Sequence, residues 1–296
     1  MQYAPQNLPQ VLAQHPVARI ATAGGHVQFR QPGNARIAPT HVLLHGIGSG
    51  SASWAWQLEA AARQPALRVL AWDAPGYGAS QALTADTPSA ADYARRMWQW
   101  LDALDALEAA EHAAATPITL VGHSLGCLMA AAAVRQAPGR VRHLLLLSPA
   151  QGYARASAAD RAKKLDDRLA TLASLGPQGI ADKRGSAMLS PNADAALVGF
   201  IKDVMAQIDP QGYSQAARML SQGDLLTDLA AITCPVAVAS GSADGITPPA
   251  GCQAAAAHIG APYTPLPGAG HACALESPAA VSALIGLVHH PLKAAA

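Results

Sequence analysis

The pattern of apolar runs along this 296-residue chain predicts an α/β fold: a mostly parallel central sheet flanked by helices, with a helical segment inserted into it. Two observations carry the prediction. Short continuous apolar runs alternate with longer stretches of helical pattern, as parallel strands covered on both faces require. Between residues 149 and 233 the alternation stops, helical patterns follow one another without a strand candidate, and then it resumes. The expected division is therefore a core of 1–148 and 234–296 with a helical cap at 149–233.

Taken in order, residues 1–16 hold Pro5, Pro9 and Pro16, show no periodicity and are expected to form an irregular arm. Residues 19–22 and 26–30 flank Ala23-Gly24-Gly25, the composition of a tight hairpin turn. The apolar runs at 41–44, 67–72, 118–121, 141–147 and 236–239 are the buried strands, and a short strand is expected near 262–266. Helical patterns cover 52–63, 89–107 and 125–136. Thr87 is the N-cap candidate of the second, with Pro88 at its first helical position, and Pro138-Gly139 stops the third. Short links between such units imply right-handed crossovers. Inside the insertion the helical segments are 157–174, 192–207 and 212–222, separated by Gly176-Pro177, Ser190-Pro191 and Asp209-Pro210. A helical pattern at 252–258 and a helix from Pro278 complete the chain.

The bulk properties narrow the function classes. Apolar residues make up 51% of the chain, enough for a large core, but much of this is alanine and only two residues are Phe. Small-faced helices packed closely on a sheet are expected. The net charge is +1. The densest charged cluster, 161–168, mixes acids with bases as a solvated helix face does, so a nucleic-acid partner is not expected. The cysteines, Cys127, Cys234, Cys252 and Cys273, show no short spacing, and reduced thiols are the default. The start of the chain lacks a basic segment followed by an apolar run, and no apolar stretch approaches the about eighteen residues of a membrane span. A cytoplasmic protein without a membrane partner is expected. No His/Cys/Asp cluster has metal-ligand spacing, so neither metal nor cofactor is expected.

The most informative stretch is Thr119-Leu120-Val121-Gly122-His123-Ser124-Leu125-Gly126: an apolar strand, then Gly-x-Ser-x-Gly, then an alanine-rich helix. A strand that turns sharply into a helix holds Ser124 in a strained conformation, and glycines at 122 and 126 remove side chains that would collide. The hydroxyl then sits at a helix N-terminus, where free amides and the dipole favour developing negative charge.

With His45-Gly46-Ile47-Gly48, Asp73-Ala74-Pro75-Gly76-Tyr77-Gly78-Ala79-Ser80, Gly241 to Pro249, and Gly270-His271, this motif resembles the landmarks of α/β-hydrolase-fold serine hydrolases in their expected order. The likeness spans about residues 40 to 285. The stretch from Asp209-Pro210-Gln211-Gly212-Tyr213 through Asp224 and Leu229 to Cys234-Pro235 is similar to the cap-to-core passage of 3-oxoadipate enol-lactonases, with the hydrolases of ring meta-cleavage products as further relatives. The resemblance implies Ser124 as nucleophile in an elbow and an oxyanion hole made by the backbone amides of Ile47 and Leu125. His45 is read as a brace for its loop.

The resemblance also implies the chain order serine, acid, histidine. Among the eleven histidines, His258 falls in a helical pattern and His289 and His290 in the C-terminal tail, whereas His271 stands in the glycine-rich loop 267–271 after a strand. For the acid, Asp244 lies just beyond the strand at 236–239. Asp73 precedes the serine, and Asp224 and Asp228 precede that strand. The expected triad is Ser124, His271 and Asp244, with the imidazole as proton carrier and the carboxylate fixing its tautomer.

Three functions compete. The first is hydrolysis of a small carboxylic ester or lactone through an acyl-enzyme. The second is hydrolysis of a carbon–carbon bond in a ring meta-cleavage product, against which Ala272 stands where many such enzymes carry Trp. The third is a non-catalytic hydrolase-fold binding protein. Substrate identity and oligomeric state have no signal in the sequence. Leu197, Phe200, Ile201, Val204 and Met205, at helical spacing, are expected to enclose the acyl site, and Arg184, Lys202 and Arg218 are the candidate cations for an acidic substrate.

Overall fold

The computed structural model describes residues 3–32, 37–108 and 116–287, so His289 and His290 lie outside the described residues. The start of the chain corrects the expected irregular arm: a 3-10 turn at Pro5–Asn7 leads into a helix. This helix is α1 (Leu8–Gln14), with a proline in its first turn. Proline is compatible with that turn because the amide it lacks would have no intrahelical partner. The fully buried Leu8, with the largely buried Val11, anchors α1 in a cluster with Trp56, Leu197 and Ile201.

The expected hairpin follows as β1 (Val17–Thr22) and β2 (Gly25–Arg30), paired antiparallel with Thr22 opposite Gly25. The apolar runs become β3 (His41–Leu44), β4 (Val69–Trp72), β5 (Ile118–His123), β6 (Val141–Leu147), β7 (Val236–Gly241) and β8 (Tyr263–Leu266). Among the described residues these eight strands form one sheet in the order β1-β2-β4-β3-β5-β6-β7-β8, parallel from β4 to β8. Every residue of β3, β4 and β5 is buried. Helices on both faces account for these uninterrupted apolar runs.

Between the core strands run α2 (Ala55–Ala62), α3 (Ala90–Glu108) and α4 (Gly126–Gln136). The start of α3 is capped by Ser89 rather than by Thr87: both the amide and the hydroxyl of Ser89 donate to the Asp92 carboxylate, at 2.9 and 2.7 Å. That is the reciprocal half of a capping box, and it moves the helix start past Pro88.

The segment between β6 and β7 is helical, with α5 (Ala158–Arg184), α6 (Ala195–Ala206), α7 (Pro210–Gln222) and α8 (Leu225–Leu229). The break expected at Gly176-Pro177 is real but does not end α5. Gly176 takes φ 64° and ψ −178°, and helix resumes beyond it as far as Arg184. Asp194, Asp209 and Asp224 cap the next three helices through their carboxylates, which offsets the unpaired amides of each first turn. The chain then adds α9 (Pro249–His258), α10 (Cys273–Glu276) and α11 (Pro278–Ile285).

This topology creates one crevice. β3 and β5 are neighbours, Leu44 pairing with Gly122, although the chain runs from β3 to β4 on one side and then crosses to β5 on the other. Loops leaving the carboxyl ends of β3 and β5 therefore diverge, and such a switch point is where open α/β sheets leave room for a ligand.

Candidate active site

Ser124 occupies that switch point, between the end of β5 and the start of α4. Its φ is 53°, and among the described residues the only other non-glycine with positive φ is Ser148, at 46°. Such a conformation costs about 1–3 kcal/mol and persists only where neighbours over-determine it. Here the Ser124 amide donates to Leu147 O at 2.9 Å, and its carbonyl accepts from Cys127 N and Ala150 N. The flanking glycines are steric necessities. A Cβ on Gly122 would lie 2.7 Å from the Gly126 carbonyl oxygen, and one on Gly126 would lie 2.4 Å from Leu44 O. The second glycine thus answers to the adjacent strand β3, a tighter constraint than the strand–helix contact expected from the motif.

The loop after β3 lies directly against the serine, since a Cβ on Gly46 would sit 2.9 Å from Ser124 Cβ. His45 braces this loop: its Nδ1–H donates to Gly46 O at 2.8 Å while its Nε2 accepts from Ala74 N at 3.0 Å. Those two bonds define a neutral ring, and burial lowers its pKa further from protonation. Asp73 is committed to the same loop, accepting from Ser51 N, Ser51 Oγ and Gln28 Nε2. The Ile47 and Leu125 amides carry no hydrogen bond to a protein acceptor among the described residues.

His271 and Asp244 arrive from the loops after β8 and β7. Nδ1 of His271 donates to Asp244 Oδ2 at 2.9 Å, which leaves Nε2 as the acceptor. Ser124, Asp244 and His271 are 5%, 3% and 1% exposed, so water competes little with these bonds. Asp244 also accepts from Ile246 N, Thr247 N and Thr247 Oγ1 at 2.8–2.9 Å. Burial pushes its pKa up, but the His271 ring, the Thr247 amide and the Ser148 hydroxyl outweigh burial and hold the carboxyl well below the usual carboxylate range. Ser124 and His271 line one cavity of about 240 Å³ with Ile47 and Gly48.

The rival candidates lie elsewhere. Asp224 pairs with Arg155, Asp228 pairs with Arg135, and His258 is exposed at the end of α9. Of the five apolar residues expected from α6, only Met205 lines the cavity. Leu197 and Ile201 cluster with Leu8 and Trp56 instead, because the turn Pro5–Asn7 and the start of α1 pack on that side of α6. Among the candidate cations Arg184 lines the cavity, whereas Lys202 pairs with Asp182 and Arg218 donates to Asp86 O. Arg168, assigned to a solvated face, lines the cavity too.

Three further residues support the site without having been singled out. Nε2–H of His123 donates to the His271 carbonyl at 2.8 Å, and burial, then the neighbouring His271, push the His123 pKa down to about 3. It is therefore a neutral strut. Thr247 Oγ1 lies within 3.1 Å of both Asp244 Oδ2 and His271 Nδ1. Glu276 accepts from Gly270 N through one oxygen and from Ser190 N through the other, and the Ala272 amide donates to Met188 O. Nothing local in the sequence distinguishes these roles from a turn threonine or a surface glutamate.

A serine at a strand-to-helix elbow and a His–Asp pair, gathered at the carboxyl edge of a parallel sheet, define a hydrolase. The chain belongs to the alpha/beta hydrolase family, which it matches over residues 42–284. Among curated proteins it is 28% identical to (E)-2-((N-methylformamido)methylene)succinate hydrolase of Acinetobacter baylyi over 69% of this chain and 72% of that protein. It is 32% identical to a Variovorax paradoxus protein assigned as a carbamate hydrolase, over 70% of this chain and 74% of that protein. Its fold is that of a thermophilic esterase from Thermogutta terrifontis, solved with malate bound, with a TM-score of 0.77 and 23% identity over 92% of this chain and 97% of that one. It also resembles the enol-lactonase of Burkholderia xenovorans, with a TM-score of 0.74 and 23% identity over 91% of this chain and 98% of that one. Among the described residues no helix is long and apolar enough to cross a membrane.

Proposed function

We propose that this hydrolase cleaves small carboxylic esters or lactones through an acyl-enzyme, with Ser124 as nucleophile, His271 as general base and acid, and Asp244 as the group that orients His271. The observation that carries the reading is the Asp244–His271 bond of 2.9 Å beside a serine held at φ 53° in the same cavity. Ser124 Oγ attacks the carbonyl carbon as its proton passes to His271 Nε2. The amides of Ile47 and Leu125 receive the oxyanion. The imidazolium, stabilised by Asp244, then protonates the departing alkoxide, which in a lactone stays tethered to the acyl group. A water molecule gives its proton to His271, attacks the acyl-enzyme and releases the acid, restoring Ser124.

The helical insertion acts in this reading as a cap that shapes the acyl pocket. Named esterase and enol-lactonase structures among the fold neighbours support an ester or lactone over a carbon–carbon bond. Ala272 supports it as well, since it is buried with Leu189 and Leu275 rather than lining the cavity. Labelling with a fluorophosphonate tests catalysis against simple binding. Covalent modification at Ser124 is expected; an unmodified Ser124, with no turnover of esters or lactones, would leave a hydrolase-fold binding protein.

A further inference from the structure

The cavity that holds Ser124 and His271 is lined by no Asp or Glu among the described residues, yet two guanidinium groups line it, those of Arg168 and Arg184. Both are half-buried. Nη1 of Arg168 donates to the Tyr213 hydroxyl at 3.1 Å, a neutral partner. No carboxylate among the described residues pairs with either arginine, although nearby Arg155 is paired with Asp224, Arg135 with Asp228 and Lys202 with Asp182. Burial, and next the charge of Arg168, draw the Arg184 pKa downward. That is the direction expected of cations brought together with little water and no counter-ion.

Both arginines belong to α5, and on a straight helix their Cα atoms would stand about 24 Å apart at 1.5 Å per residue. The break at Gly176 redirects the second segment, and both side chains reach one cavity of about 240 Å³. The rest of the insertion's lining is largely apolar, with Ile180, Met188, Met205 and Leu220. Such neighbours make unpaired charge costly. A planar anion would turn that cost into charge-assisted, two-pronged hydrogen bonds.

We propose that Arg168 and Arg184 clamp a free carboxylate on the substrate, so that the esters or lactones hydrolysed at Ser124 are those of carboxylate-bearing molecules. The proposal rests on the hydrolase reading above and adds the substrate class to it. Matched pairs test it: mono-4-nitrophenyl glutarate against 4-nitrophenyl pentanoate, with the carboxylate on the acyl side, and 4-butyryloxybenzoate against phenyl butyrate, with it on the alcohol side. Wild-type enzyme should prefer the charged member of at least one pair by about tenfold or more in kcat/KM, chiefly through KM. Combined Arg168→Gln and Arg184→Gln should reduce that preference about 10–100-fold. Arg184→Lys, which keeps the charge without the fork, should lose only part of it. Lys202→Gln, outside the cavity, should leave the preference where it was. Independently of turnover, calorimetry should detect glutarate binding to Ser124→Ala protein and its loss when both arginines are replaced. Indifference to the carboxylate in both pairs overturns the clamp, as does a preference that survives the double replacement in protein of unchanged circular dichroism. If Ser124 is inert to the fluorophosphonate and no ester turns over, the hydrolase reading falls. The glutarate experiment then still decides the clamp, upholding it if binding depends on the arginines and overturning it if glutarate does not bind.

Discussion

The carboxyl edge of the sheet and the helical insertion face the same cavity and contribute unlike things to it. From the sheet come loops whose main chain is held at several points. Ser124 N is tied to Leu147 O, the His271 carbonyl to the His123 ring, and the Asp244 carboxylate to two amides and a hydroxyl besides its histidine. From the insertion come side chains on helices, apolar ones such as Ile180 and Met205 together with Arg168 and Arg184. The contrast teaches where each kind of property is encoded. In the function proposed above, bond-making geometry rests on hydrogen bonds that tie these loops to one another, and selectivity on side chains that can be exchanged without moving the backbone.

The largest effects should follow replacements at the sheet edge. Ser124→Ala should leave folded protein with kcat reduced by roughly 10⁴-fold or more; activity within tenfold of wild type would remove Ser124 as nucleophile. Asp244→Asn should preserve the fold and cost about 10³–10⁴-fold, because the wrong tautomer of His271 is then favoured. Asp228→Asn, which loses only a partly exposed pair with Arg135, should change activity less than about twofold. The reverse outcome would move the acid to Asp228.

Within the insertion the two faces of α6 should separate. Ile201→Ala, packed in the cluster with Leu8 and Trp56, should cost about 2–4 kcal/mol in urea unfolding without altering acyl-chain preference. Met205→Ala should instead favour longer acyl chains by about tenfold relative to wild type. Equal shifts of preference in both variants would mean that the cavity face and the packing face are not distinct.

A smaller effect distinguishes the two regions by pH, since 149–233 contains no histidine while the core buries several. Burial, then Arg142, push the His41 pKa to about 4, and burial, then His271, push that of His123 to about 3. Unfolded, each ring takes up its proton near pH 6.5. The unfolded chain therefore binds more protons between those limits, and stability present above pH 6.5 is lost as pH falls toward 4 and 3. By pH 5 the loss should be about 2 kcal/mol for each histidine. The depressed Asp244 adds its loss only at lower pH, below the ordinary carboxylate range. Urea unfolding at pH 7.5, 6 and 5 measures the slope, which His41→Gln should make shallower. A flat curve over that interval would mean that both rings protonate within the fold.

The same division explains what could be read from the sequence. The limits of β3 and β6 match those expected residue for residue, because Val42 to Leu44 and Leu144 to Leu147 are buried without a break, with the polar Arg142 and His143 confined to the start of β6. The elbow was legible since its glycines answer to contacts under 3 Å that no other residue survives. α1 was hidden by prolines that suit a first helical turn as well as an irregular arm. The second half of α5 was hidden by Gly176-Pro177, which changes the direction of the helix without ending it. Arg168 was misassigned for a related reason. In a charged stretch the sequence shows which residues are ionic, but not which of them the packing of α5 turns toward the cavity. His123 and Thr247 act through tertiary hydrogen bonds to His271, and tertiary bonds have no local pattern.

Glu276 joins the two regions. One of its oxygens holds the Gly270 amide beside His271 and the other holds the Ser190 amide of the insertion, while the Ala272 amide donates to Met188 O. Those three bonds fasten the loop that bears His271 to residues 188–190 of the insertion. An outward swing of the insertion at that end would have to break them or carry the His271 loop along. The position of the insertion and that of the imidazole are thereby mechanically interlocked at this edge of the cavity.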